Sequence, residues 1–163
     1  MVCTRFIEAQ DQPPDGFASA LAEMRAGRKR GHWIWYVFPQ LGGLGSSEAS
    51  RVYGIRGLPE AKAYLRNPLL CSRLLEITTA VAEQPRRGIA IDILMGSSID
   101  ASKLVSSLTL FGHVARDLGE DEGLDDCRQL TELAEGILHA ADGAGYAACS
   151  FTLGVLAGAS HRD

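Results

Sequence analysis

"HWIWYVFPQ", residues 32–40, decides the fold class. Trp33, Ile34, Trp35, Tyr36, Val37 and Phe38 are residue types that favour strands, and a strand here would need a sheet to receive it. Seven adjacent bulky side chains, 32–38, fit a helix buried on most sides equally well. Pro39 closes the segment under either reading. The surroundings favour helix, because the segments on both sides carry helical patterns.

Upstream, "FASALAEMRAG" (17–27) sets Phe17, Leu21 and Met24 on one helical face and stops on Gly27. "DQPPDG" (11–16) is a turn that separates a short N-terminal segment, 1–14, from the body. Downstream, residues 57–88 read as two consecutive helices. Pro59 opens the first, and Asn67-Pro68 supplies an N-cap and a first-turn proline for the second. In that second helix Leu70, Leu74, Ile77 and Val81 form a stripe, and Pro85 is expected to end it. "GIAIDILMG" (88–96) is too short for periodicity to separate helix from strand. "SSID" then offers a capping box, Ser97 with Asp100 three later, before a helix whose stripe is Leu104, Leu108, Phe111, Ala115 and Leu118. Leu130, Leu133, Ile137, Leu138 and Ala141 make another amphipathic helix. The expectation is an all-α, mainly helical, single compact domain over 1–163 with about six helices. It comprises the 1–14 segment, a helical body over 15–141 and an apolar C-terminal tail over 142–163.

Composition agrees with an ordinary globular chain: 163 residues, 46% hydrophobic and 22% charged. The formal charge of −4 is unevenly placed. Residues 1–76 hold ten Lys/Arg against seven Asp/Glu, whereas 77–163 hold six against thirteen. An anionic ligand is therefore favoured on the first half, while net acidity disfavours nucleic acid as a partner. Cys3, Cys71, Cys127 and Cys149 form no Cys-x-x-Cys pair, so neither zinc nor a disulfide framework is indicated, and reduced, mostly buried thiols are expected. "MVCTRFIEAQ" lacks the pattern of a signal peptide. The apolar tract "AGYAACSFTLGVLAGAS" (144–160) is broken by Ser and Gly and falls short of the ~18 apolar residues of a bilayer helix. No membrane partner and a cytoplasmic address follow as expectations.

The residues with chemistry cluster around the opening stretch. Arg28, Lys29 and Arg30 follow a helix-ending glycine, with His32 beyond them. Such a triplet reads first as a solvated turn, but it also suits a cradle for phosphate or carboxylate. "GGLGSSEAS" (42–50) adds glycines that permit close backbone approach and hydroxyls at a helix start, a natural anion site. Gly43-Leu44-Gly45-Ser46-Ser47-Glu48 lacks the third glycine of a dinucleotide fingerprint and the Gly-Lys-Ser/Thr ending of a P-loop. No Gly-x-Ser-x-Gly nucleophile elbow is present. Further along, Lys103, Ser106 and Ser107 lie on one helical face, and Arg51 and Tyr53 could join the same site. His32 is the candidate for proton transfer. His113, His139 and His161 show no metal-ligand spacing, so no metal and no cofactor are expected. Trp33 and Trp35 could stack on a flat ligand, although at least one belongs in the core.

Two readings of function follow. The first is binding of a small anionic or nucleotide-like ligand by Arg28, Lys29, Arg30, Gly45, Ser46, Arg51 and Lys103, with Ser106, Trp35 and His32 beside them. It requires the 28–32 and 103–107 side chains to reach one cleft. The second is a protein-interaction or homo-oligomerisation module that uses the 144–159 tail and the acidic turn at 117–126.

The order "RFIEAQ", "ALAEMRAGRKRGHWIWYVFPQLGGLGSSEASRVYGI", "EAKAYLRNPLLCSRLLEI" and "SKLVSSLTLF" resembles a largely bacterial family known as domain of unknown function eighteen-ten, whose members are sometimes mislabelled calpastatin. The likeness runs from about residue 4 to residue 112 and implies a mainly α-helical fold; no reaction comes with it. Leu94–Asp100 stands where such proteins carry a Phe-Gly-x-Pro-Asp-like turn, and Leu70-Cys71-Ser72-Arg73-Leu74 replaces a Leu-Gly-x-Arg-Leu pattern. "FTLGVL" (151–156) resembles, more loosely, the family's closing Asp-x-x-Thr-Leu segment.

Overall fold

Pro39 limits how far the aromatic run can wind. A residue ahead of proline is pushed out of the helical region, and Phe38 sits at φ −121° and ψ 73°. What forms is a single turn, Ile34–Val37, with Trp33, Ile34, Val37 and Phe38 all buried. The segment is helical, as its surroundings implied, but it is not a long buried helix.

The structure, a computed structural model, describes residues 3–160. Among them ten helices follow one another: α1 (Thr4–Gln10), α2 (Phe17–Ala26), α3 (Ile34–Val37), α4 (Glu48–Tyr53), α5 (Leu58–Arg66), α6 (Pro68–Arg86), α7 (Ile91–Met95), α8 (Ser98–Asp121), α9 (Asp125–Gly143) and α10 (Ser150–Ser160). The only extended pairing among the described residues is an isolated parallel bridge between Leu41 and Ile55. The expected count of about six helices is therefore too low. The excess comes from α1, α4 and α7, which hold between five and seven residues each, and from α10, where only an apolar tail was expected. A piece as short as the first three completes no periodic stripe, so periodicity leaves the apolar run at 88–96 unassigned, and it folds as α7.

The long helices form where their patterns placed them. Asn67 Oδ1 accepts from the backbone N–H of Leu69 and Leu70 at 3.0 and 3.1 Å and so starts α6. Pro85 does not end that helix but lies in its last turn, with Arg86 the final residue. Ser97 Oγ accepts from Asp100 N at 3.1 Å and starts α8. This is the central helix: every residue from Leu104 to Gly112 is buried, and α3, α5, α7, α9 and α10 all pack against it. Gly112 lets α9 come close, since a Cβ there would stand 3.1 Å from Ala134 Cβ. α10 lies on α8 and buries Thr152 and Leu156 while Phe151, Leu153 and Val155 stay exposed. Among the described residues no helix is long and apolar enough to cross a membrane.

Candidate functional site

The loop after α2 is tied to the start of α8 through Lys29. Its backbone N–H donates to Leu94 O at 2.7 Å, which turns the side chain inward until only 6% of it is exposed. Lys29 Nζ then lies 2.9 Å from Asp100 Oδ2, donates to Gly31 O, and stands 5.1 Å from the centre of the Trp33 ring. Asp100 projects from the first turn of α8, and its other oxygen is 3.8 Å from Lys103 Nζ, one turn further on. Lys103 in turn lies 4.8 Å from the centre of the Trp35 ring. A row of cation, carboxylate and cation is thus flanked by two indoles.

A second carboxylate organises the basic turn itself. Glu23, on α2, accepts from Arg30 N at 2.6 Å, from Gly31 N at 2.8 Å and from Trp33 Nε1 at 3.0 Å. Burial by itself would raise the Glu23 pKa; the Gly31, Arg30 and Trp33 donors, helped by the Lys29 charge, outweigh it and hold the carboxyl below its ordinary value. The backbone donors of this turn are therefore taken by a carboxylate of the same chain.

Beside Lys103 a narrow crevice opens between α3, α4 and α8, lined by Trp35, Gln40, Ser50, Tyr53 and Lys103. Its free volume is about 10 Å³, room for a single water. Trp35 Nε1 is buried and has no acceptor. Lys103 approaches Asp100 no closer than 3.8 Å, so its ammonium keeps donors to spare. The α4 wall is set by Ser47, which accepts from Ser50 N at 3.1 Å, with the two hydroxyl oxygens 2.9 Å apart. Gly45 reaches that geometry at φ +79°, and a Cβ there would lie 2.7 Å from Ser50 Oγ.

Of the residues singled out from sequence, Lys29, Trp35 and Lys103 come together. Arg28, Arg30, His32, Ser46 and Arg51 are exposed and do not line the crevice. Ser47, not Ser46, caps α4, and Gly45 shapes the turn without facing the cation row. Ser106 donates to Ser102 O at 3.0 Å and opens on a different cleft. Sequence reasoning missed two central groups. Asp100 was read only as a capping partner, and Glu23 sits in the interior of α2, where a charged residue draws no notice. Arg5 was missed too: it binds both oxygens of Glu60 and the carbonyls of Val52 and Gly54, clamping α1 to α4 and α5.

Residues 2–126 match the family described as protein of unknown function, DUF1810. The crystal structure of the conserved hypothetical protein Rv1873 from Mycobacterium tuberculosis is similar to this chain, with 36% identity and a TM-score of 0.71. The likeness covers 95% of this chain and 96% of that one. No curated protein matches the chain.

Proposed function

The chain belongs to the DUF1810 family of unknown function, and from that premise we propose that it binds a small ligand through a carboxylate or phosphate group at the crevice between α3, α4 and α8. One observation carries the reading: two donors without adequate acceptors, the buried Trp35 N–H and the loosely paired Lys103 ammonium, line the same space. A buried donor left unmet is costly, and an incoming oxygen would satisfy it. Lys103 supplies the charge, and because its side chain is 20% exposed it can swing to admit a group larger than water. Asp100 is the internal competitor that holds the place when no ligand is bound. His32 stands outside the crevice, so the reading is binding rather than proton transfer.

Tryptophan fluorescence titrated with inorganic phosphate and with acetate tests this. A saturable change is expected in the native chain, with loss of the response in Lys103→Met and an unaltered response in Arg28→Ala. Phosphate at a hundred times its dissociation constant should also stabilise the fold by about 2.7 kcal/mol. A flat titration, or a response that survives Lys103→Met, removes the proposal.

A second reading, self-association, has one feature in its favour: residues 144–160 carry no charged side chain, and Phe151, Leu153 and Val155 are exposed. Light scattering of the full chain against Leu153→Glu distinguishes it. A monomeric mass for both at every concentration ends that reading.

A further inference from the structure

The crevice between α3, α4 and α8 is bounded unevenly. Behind α4 its wall is fixed by backbone. Ile55 N donates to Gln40 O and Gly42 N donates to Ile55 O, both at 2.8 Å. Gly54, which lines the space, packs closely on that pairing: a Cβ there would stand 2.8 Å from Gly42 Cα and 2.9 Å from Ser50 O. Ile34 and Phe38 line the α3 side and are buried. Close-packed groups of this kind retreat only by giving up their own contacts. Lys103, on α8, is the partly exposed side chain of the lining that can yield. The space therefore widens in one direction, toward α8, and opens as a slot rather than a bowl.

Charge sets a second limit. Among the described residues that line the crevice, Lys103 alone is charged. Asp100 Oδ1 lies 3.8 Å from its ammonium, and Asp100 Oδ2 is held by Lys29 at 2.9 Å. Two cations and one carboxylate leave a single positive charge. A singly charged anion matches it. A second negative charge would face Asp100 with no cation left to meet it, and so little water in the space leaves that repulsion unscreened.

Donors set the third limit. The buried Trp35 N–H has no acceptor, and the Lys103 ammonium is loosely paired. A carboxylate presents two oxygens in one plane, one for each of these donors. A tetrahedral oxyanion carries further oxygens out of that plane. These would lie against Ile34 and Phe38, which offer no donor.

We infer, resting on the ligand reading of this crevice, that its ligand is recognised through a planar, singly charged carboxylate in preference to a phosphate or sulfate group. The carboxylate plane lies along the slot, with one oxygen on the Trp35 N–H and the other on the Lys103 ammonium. Asp100, kept in place by Lys29, turns doubly charged anions away.

The test follows the indole N–H resonance of Trp35 in the full, nitrogen-labelled chain at pH 7. The chain has two tryptophans, and Trp35→Phe assigns the signal by deleting it. The Trp33 N–H, bonded to Glu23, is the internal control. Acetate, methanesulfonate and sulfate, added at matched ionic strength, separate shape from charge: planar with one charge, tetrahedral with one, tetrahedral with two. Acetate is expected to move the Trp35 signal saturably, with a Kd at least about tenfold below that of either other anion, while Trp33 stays still. In Asp100→Asn, checked for folding by circular dichroism, sulfate should gain about tenfold on acetate. Methanesulfonate or sulfate binding the native chain as tightly as acetate overturns the carboxylate assignment and leaves the ligand site standing. Silence at Trp35 toward all three, or movement at Trp33 alone, also overturns the assignment; if inorganic phosphate is silent too, the ligand site falls with it. An unchanged gap in folded Asp100→Asn overturns the part given to Asp100.

Discussion

Lys29 has two acceptors, Asp100 and the Gly31 carbonyl, and almost no water. Asp100→Asn would leave that ammonium without a counter-charge in a buried position, at a cost of about 2 kcal/mol or more. Lys29→Met should cost less, because Asp100 is 19% exposed and keeps Lys103 beside it. Urea midpoints of the two variants measure the order, and the reverse order would show that the cation row is governed by Lys103. Glu23 makes the second residue-scale prediction. Its folded pKa is lowered, so its stabilisation is complete above the ordinary glutamate value of about 4.3 and is lost as pH falls through the lowered folded value. The stability gap between the native chain and Glu23→Gln should therefore be wide at pH 7 and narrow at pH 3. Neither carboxylate could be paired from sequence. Ser97-x-x-Asp100 already has a complete local explanation as a cap, and the partner of Glu23 is a backbone turn that no residue type announces.

Helices were legible in proportion to their length. α6, α8 and α9 each repeat an apolar stripe over several turns, and Leu74, Ile77, Leu108, Phe111 and Ile137 are buried as that stripe requires. α3 offers one turn, and its aromatic residues satisfy strand preference as well as helix burial; only the Phe38–Pro39 junction and the packing against α8 decide it. Helix contact also leaves a signature that patterns do not reveal. Gly112 and Gly136 are both helical glycines, yet a Cβ at Gly112 meets Ala134 at 3.1 Å whereas a Cβ at Gly136 meets nothing within 4 Å. Gly112→Leu should separate α8 from α9 and cost about 2 kcal/mol. Gly136→Ala should instead stabilise the fold by up to about 1 kcal/mol through helix propensity. Thermal melts of the pair check the contrast, which disappears if α8 and α9 are looser than their spacing indicates.

For the molecule as a whole, the helical class and the family were legible, while the grouping of Lys29, Asp100, Lys103 and the two tryptophans required the packed chain. The uneven charge along the chain does not announce that the basic turn meets acids of its own. The first three turns of α8 carry Asp100 and Lys103 toward the tryptophan crevice and Ser102 and Ser106 toward a separate cleft lined also by Tyr146 and Cys149. Two surfaces with no side chain in common thus share one mount, held at its end by the Ser97 hydroxyl. Ser97→Ala should cost about 1 kcal/mol and fray that mount. The phosphate-dependent fluorescence should then weaken, although the altered residue does not line the crevice. Ser97 is in this sense a remote dimmer for the crevice.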